Sequence, residues 1–134
     1  MDKISQLVAR VFLGHIFLLA GLSKVGAAYE GTQGYMDAMG VPGMLLPLVI
    51  LLEVVGGLAI IAGWKTGWTA VALAAFTVLA AVIFHNNFGD QMQMILFMKN
   101  IAITGGLLLL TVHGAGAYSI DNRRATVMTA VSHS

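Results

Sequence analysis

The sequence predicts an all-α fold: a polytopic membrane four-helix bundle. Three observations predict it. Only 13 of the 134 residues are Asp, Glu, Lys or Arg, whereas an ordinary soluble domain is about 25 % charged. Apolar residues make up 58 % and mean hydropathy is +0.87, more apolar surface than a soluble chain of this length can keep from water. The apolar residues also gather in four runs of about 18–20 residues, each long enough to cross ~30 Å of hydrocarbon. Lipid offers backbone groups no outside partner, so the runs must be helical. The period-2 alternation of a membrane barrel is absent.

The same composition excludes several function classes. A soluble enzyme and a disordered chain do not fit it. The net charge of +1 supplies no field for DNA or RNA, so no nucleic-acid partner is expected. There is no cysteine, which removes thiol nucleophiles, disulfide exchange, iron–sulfur clusters and cysteine-bound metals.

The spans are read at residues 7–25, 44–61, 66–84 and 94–112. The first is interrupted by Arg10, His15 and Lys24 and lacks a small-residue cleavage site, so it reads as a permanent span and not a signal peptide. The second begins beside Pro42 and Pro47, where proline costs a helix least. Residues 1–124 then form one four-span domain, and residues 125–134 a flexible polar tail. The loop from Gly26 to Gly43 is long enough for a short helix or re-entrant piece; a plain connection is the alternative.

Loop charges set the expected orientation. Lys3, Lys65, Arg123 and Arg124 fall on one side of the membrane, while Glu30, Asp37 and Asp90 fall on the other. The positive-inside rule puts the first set, and both termini, in the cytoplasm. Trp64 and Trp68 flank the turn between the second and third spans and read as an interfacial belt, with Tyr29 and Tyr35 in a similar position opposite.

Ionisable residues inside spans are expensive and normally face protein or water. Arg10, Gly14, Phe17, Gly21 and Lys24 recur at steps of four and three, which places the others within about 40° of Arg10 on a helix. The two glycines on that stripe invite close helix approach. Arg10 and Lys24 stand near its two ends, as site groups or as snorkelling ends. His15, about 140° away, reads as a packed or interhelix hydrogen-bonded histidine.

Glu53 sits about 15 Å along its helix, near mid-bilayer. A bare carboxylate there would take up a proton unless a cation paired with it. Lys24 or Lys99 is the expected partner. His85 ends the third span, where it could move a proton near neutral pH or serve as an interfacial histidine. Lys99 and Asn100 lie about 8–10 Å into the fourth span from the same side. Lys24, His85, Lys99 and Asn100 thus share the outer half, with Glu53 at its base. No two histidines have metal-ligand spacing, so no metal is expected. Gly114-Ala115-Gly116 reads as a span-ending turn, since no strand precedes it.

Arg10 with Gly14, Ala20-Gly21-Leu22-Ser23-Lys24, the run from Tyr35 to Gly43, Leu52-Glu53 with Gly56-Gly57, Phe84-His85-Asn86-Asn87-Phe88, Phe97-Met98-Lys99-Asn100 and the run from Gly114 to Asp121 follow one another over nearly the whole chain. Each is weak alone, but together they resemble the DoxX family of small bacterial membrane proteins. The resemblance implies an integral protein of the bacterial inner (plasma) membrane with four spans. The family name comes from a subunit of a thiosulfate:quinone oxidoreductase, and other members are linked to oxidative-stress complexes. Its recurring arginine, lysine, glutamate, histidine and lysine–asparagine positions fall on Arg10, Lys24, Glu53, His85, Lys99 and Asn100.

The leading expectation is a quinone-linked redox membrane subunit. Lys24, Lys99, Asn100 and Arg10 would bind substrate, and Glu53 and His85 would exchange protons. No cofactor motif is evident, so electrons would come from a redox partner subunit or a bound cofactor. The alternatives are a non-enzymatic membrane anchor or assembly factor, whose buried charges merely fix the bundle, and a small-molecule or proton-coupled transporter. Four spans per chain would favour a homodimer in the transporter case. Whether the chain is an enzyme is left open by the sequence.

Overall fold

The computed structural model describes residues 2–132. Four long apolar helices carry the fold: α1 (Lys3–Ser23), α3 (Leu46–Ala62), α4 (Thr66–Phe84) and α5 (Gln91–His113). Two shorter helices sit at the ends, α2 (Tyr29–Ala38) and α6 (Ile120–Ser132). No strand occurs among the described residues. Because the number of spans is even, α1 begins and α5 ends on the same side as the α3–α4 turn. One end of the bundle therefore carries α6, and the other carries α2.

Local chemistry sets the helix ends. Pro47 lies in the first turn of α3, where no intrahelical N–H is lost. Gly63 ends α3 at φ 71°, a left-handed conformation that suits glycine. Asp90 caps α5 by accepting the Met92 N–H at 3.0 Å. That cap starts the helix at Gln91, three residues before the start read from hydropathy alone. Helix α2 occupies the long loop, so the short-helix alternative for that loop holds.

The polar segment from residue 125 is helical as far as it is described. Residues 125–132 continue α6. Ser119 Oγ accepts the Asn122 N–H at 3.1 Å, an N-cap bond that a hydropathy reading does not register. Residues 133 and 134 of that tail, His133 among them, lie outside the described residues.

The spans pack as two pairs. Helix α1 runs along α3, and α4 along α5; the pairs meet through α3–α4 and, more lightly, through α1–α5. Glycine sets the α1–α3 approach. A Cβ on Gly14 would stand 2.7 Å from the Gly57 carbonyl oxygen, and one on Gly57 would stand 2.7 Å from the Gly14 oxygen. The backbones therefore touch there, as small-residue crossings in membranes permit. The buried residues of α1 are Arg10, Gly14, Phe17 and Gly21, the stripe that the four-and-three spacing marks. Gly56 receives Leu73 of α4, and Gly106 receives Leu13 of α1. Phe17, Ile60, Ala70, Leu73, Ala74 and Leu107 form the apolar core at the centre. Helix α5 is the least covered span, with Leu107 its one buried residue.

Candidate functional site

Two clusters of ionisable residues lie at opposite ends of the bundle. The first is at the α2 end. The close approach at Gly21, where a Cβ would stand 3.0 Å from Glu53 Cβ, brings the next turn of α1 beside α3. Lys24 Nζ thereby reaches Glu53 Oε1 at 2.7 Å and also donates to the Ala20 carbonyl at 3.1 Å. Glu53 is only 4 % exposed. A buried carboxylate needs such a partner, and the span glycines supply the path to it. Lys24, and not Lys99, is the cation that pairs with Glu53.

The pair forms part of the wall of a cavity of about 550 Å³ between the two helix pairs. Lys24, Glu53, His85, Lys99 and Asn100 all line it. The rest of the wall is mostly apolar, including Ile16, Phe17, Val49, Phe76, Ile83 and Ile103. This is the composition of a small-molecule pocket: an apolar body with a few convergent polar groups, within the ~300–1,000 Å³ such pockets span.

The polar groups differ in how far they are already engaged. Asn100 Nδ2 donates to the Thr77 carbonyl at 3.3 Å. His85 Nδ1 lies 2.9 Å from Gln93 Oε1. That contact engages Nδ1 and leaves Nε2 without a hydrogen-bond partner among the described residues. Lys99 makes no hydrogen bond, ion pair or ring contact with any described residue.

Helix α2 roofs the cavity. Thr32, Tyr35 and Met36 line it from above. The Tyr35 ring lies 5.5 Å from that of Phe84, and its hydroxyl donates to the Phe84 carbonyl at 3.3 Å. The roof is tied down where Asp37 accepts the Gly43 N–H at 2.7 Å and Gln33 donates to the Gly43 carbonyl at 3.2 Å.

Arg10 does not join this cavity. It lies at the α6 end, 1 % exposed. Its guanidinium donates to the Ile61 carbonyl at 3.2 Å and to the Tyr118 carbonyl. Those are orphan acceptors where α3 ends and where the chain enters α6, so Arg10 ties three segments together. Asp121 completes the knot. Its carboxylate accepts the Lys65 and Thr66 N–H groups at 2.7 and 2.9 Å, and its own N–H donates to the Gly63 carbonyl at 2.9 Å. It thus caps α4 from a distant part of the chain. It also steadies Lys65, which adopts φ 46°, an uncommon conformation for a residue with a side chain. The expectation that Arg10 contacts a substrate with the others therefore meets a geometric obstacle: its donors point into the knot.

Sequence reasoning missed Tyr35, Met36, Thr77 and Gln93 as wall or supporting residues. A signal for Gln93 existed. The Asp90 cap would have started α5 at Gln91 and put Gln93 on the first turn, facing the end of α4. Nothing in the sequence marked Tyr35 as a roof residue, because its partner is a backbone carbonyl.

The DoxX family model matches residues 5–86, from the first turn of α1 to just beyond His85. The inner membrane protein YqjF of Escherichia coli (strain K12) is 52 % identical over 121 residues, covering 90 % of this chain and 92 % of that protein. The inner membrane protein YphA of the same organism is 36 % identical over 124 residues, covering 87 % and 88 %. CatD of Bacillus subtilis (strain 168), provisionally named an oxidoreductase, is 30 % identical over 114 residues, covering 80 % and 84 %. No solved structure matches the chain. With four membrane-length helices, a family match over most of the bundle and near full-length relatives in the inner membrane, the chain is a multi-pass inner-membrane protein that belongs to the DoxX family.

Proposed function

We propose that the cavity between the helix pairs binds a lipid-soluble quinone and that the chain is the membrane subunit of a quinone-linked redox system. The observation that carries this reading is the cavity itself. It joins an apolar body, suited to a ring and the start of an isoprenoid tail, to a polar wall that contains both donors and proton-exchanging groups. The oxidoreductase label of the Bacillus relative points the same way.

A bound quinone would take up two electrons, from a redox partner subunit, and two protons. This chain's residues serve the second half of that balance. Lys99, and the N–H of Lys24 that Glu53 and Ala20 leave free, donate to a ring carbonyl; Asn100 can donate beside them. His85 offers Nε2 as a proton relay, oriented by Gln93. Glu53 stands at the base with one oxygen engaged by Lys24. Arg10 has no part in it.

The test is ligand-dependent stability. A short-tailed quinone added to the purified protein in neutral detergent should raise its melting temperature in a saturable way, since a ligand that binds only the folded state stabilises it. Filling the cavity with Ala20→Trp should abolish the shift. No shift for the unaltered protein sinks the reading.

The orientation is part of the same proposal. Lys3, Lys65, Arg123 and Arg124 gather at the α6 end, which we assign to the cytoplasm; the cavity then opens in the periplasmic half. Reporter fusions after Lys65 and after Ser132 should read cytoplasmic, and one at Glu30 periplasmic. The opposite pattern would invert the assignment.

A further inference from the structure

We infer that the headgroup this cavity is built for is acidic: an amphiphile that carries one negative charge when bound, seated on Lys99. The inference rests on the proposed reading that the cavity is a ligand site. It comes from the charge balance of the wall. Five titratable residues line the cavity from the five helices around it: Lys24 just past α1, Tyr35 on α2, Glu53 on α3, His85 just past α4 and Lys99 on α5. Lys24 and Glu53 cancel one another at 2.7 Å. The Tyr35 hydroxyl is engaged by the Phe84 carbonyl, and His85 is held by the neutral Gln93. Lys99 is the ammonium on this wall that no neighbour among the described residues offsets.

Lys99 lies eight residues into α5, a rise of about 12 Å from Gln91. An ammonium at such depth normally has a protein partner. Lys99 has none among the described residues, although Asn100 beside it and Lys24 across the cavity are both engaged. A neutral quinone would offer Lys99 a hydrogen bond but leave its charge uncompensated. A ligand with an ionised hydroxyl or carboxylate would supply both, to a side chain that is exposed and not packed, on a wall that is otherwise mostly apolar. Hydrogen bonds between charged groups are about twice as strong as neutral ones.

The experiment compares two ligands that differ only in that charge. One is a 2-hydroxy-3-alkyl-1,4-naphthoquinone, ionised at neutral pH; the other is its 2-methoxy ether, which is neutral. Both are titrated into the full-length protein in neutral detergent, and into Lys99→Gln. Because Lys99 has no partner to lose, Lys99→Gln should melt like the unaltered protein without ligand. The ionised compound is expected to bind at least about tenfold tighter than the ether, and Lys99→Gln to erase the difference. Equal binding of the two to the unaltered protein would overturn the inference while leaving the quinone reading standing. A preference that survives in Lys99→Gln would overturn the seat on Lys99. Binding of neither would overturn both readings. Laurate, set against lauryl alcohol, separates the sources of the anion. Displacement by laurate alone would show that a lipid-type acid suffices, and its failure would show that the ring is needed as well as the charge.

Discussion

The two ends of the bundle use similar residues to opposite effect. At the α6 end, Arg10 and Asp121 bond backbone groups: carbonyls at Ile61 and Tyr118, N–H groups at Lys65 and Thr66, with Arg10 Nε buried and unpartnered among the described residues. Arg10 is tightly enclosed: a Cβ on Gly63 would collide with the Arg10 and Ser119 side chains. At the α2 end, Lys24 and Glu53 pair with one another, while Lys99 and His85 line open volume. A charge inside a span is thus no sign of a site by itself. The sign is a charge whose surroundings leave capacity unused beside a cavity. The first cluster fastens the fold, and the second lines open volume.

That contrast breaks most visibly at Arg10. Arg10→Met leaves two carbonyls without donors and removes the charge that faces Asp121. A loss of about 3–5 kcal/mol in stability is expected, as for other buried charged groups stripped of one partner. Thermal or denaturant unfolding in detergent reads it. The fraction that remains folded should still bind ligand like the unaltered protein. A silent Arg10→Met would deny the knot its structural role, and lost binding at full stability would return Arg10 to the site.

Glu53 sharpens the comparison from the other end. Glu53→Ala leaves Lys24 unpaired in the wall and should cost roughly 3 kcal/mol, a little less than Arg10→Met because the Lys24 ammonium can turn toward the cavity. Unlike Arg10→Met, it should weaken ligand binding as well. Lys24→Met in the same chain should recover part of the stability, since the orphaned charge is gone. If the double variant loses the sum of the two single losses, the pair is not coupled and the wall is assembled another way.

The sequence made the frame legible and left the contrast hidden. Four spans followed from runs that are apolar around most of their circumference, and the α4 bounds were readable to the residue. The α1 stripe followed from spacing, because period and handedness decide which residues share a helix face. That Glu53 needs a cation followed from desolvation alone. The choice of Lys24 over Lys99 did not, because it depends on how closely α1 and α3 approach at Gly21. The role of Arg10 was invisible for a different reason. Its acceptors are backbone carbonyls, which every residue has, so no side chain at 61 or 118 announces them. The same holds for the Tyr35–Phe84 contact that closes the roof.

The helix crossing beneath both clusters yields a smaller effect. Gly14 and Gly57 meet backbone to backbone, so Gly14→Ala must push α1 from α3 by part of a methyl diameter. Overpacking of this kind costs about 1–3 kcal/mol. Since Gly21 and Lys24 lie farther along the same helix, the displacement should also lengthen the Lys24–Glu53 contact. Gly105, whose Cβ position is open, is the control: Gly105→Ala should leave stability unchanged or slightly raised. Equal behaviour of the two variants would mean that the α1–α3 contact does not set the spacing.

The smallest effect is expected at Asp121, and it carries a pH signature that the cavity end lacks. Asp121 lies outside the spans. Burial pushes its carboxyl up, but the Thr66 side chain, the Thr66 and Lys65 N–H groups and the nearby Arg124 together outweigh burial and hold it below the usual aspartate value. The charged form is therefore the one the fold prefers. Its contribution is present above the unfolded value of about 3.9 and is lost as pH falls through the lower folded value. Asp121→Asn keeps one acceptor oxygen and loses the charge, so at pH 7 it should cost on the order of 1 kcal/mol, the scale of a lost helix cap. The gap between the two proteins should stay constant from pH 7 down to about 5 and close below about 4, as the native aspartate becomes protonated. Ligand affinity should be the same in both throughout, because the knot and the cavity share no side chain. A gap that persists into acid would assign the Asp121 contribution to shape and not to charge. A change in ligand affinity would show that the two ends of the bundle communicate.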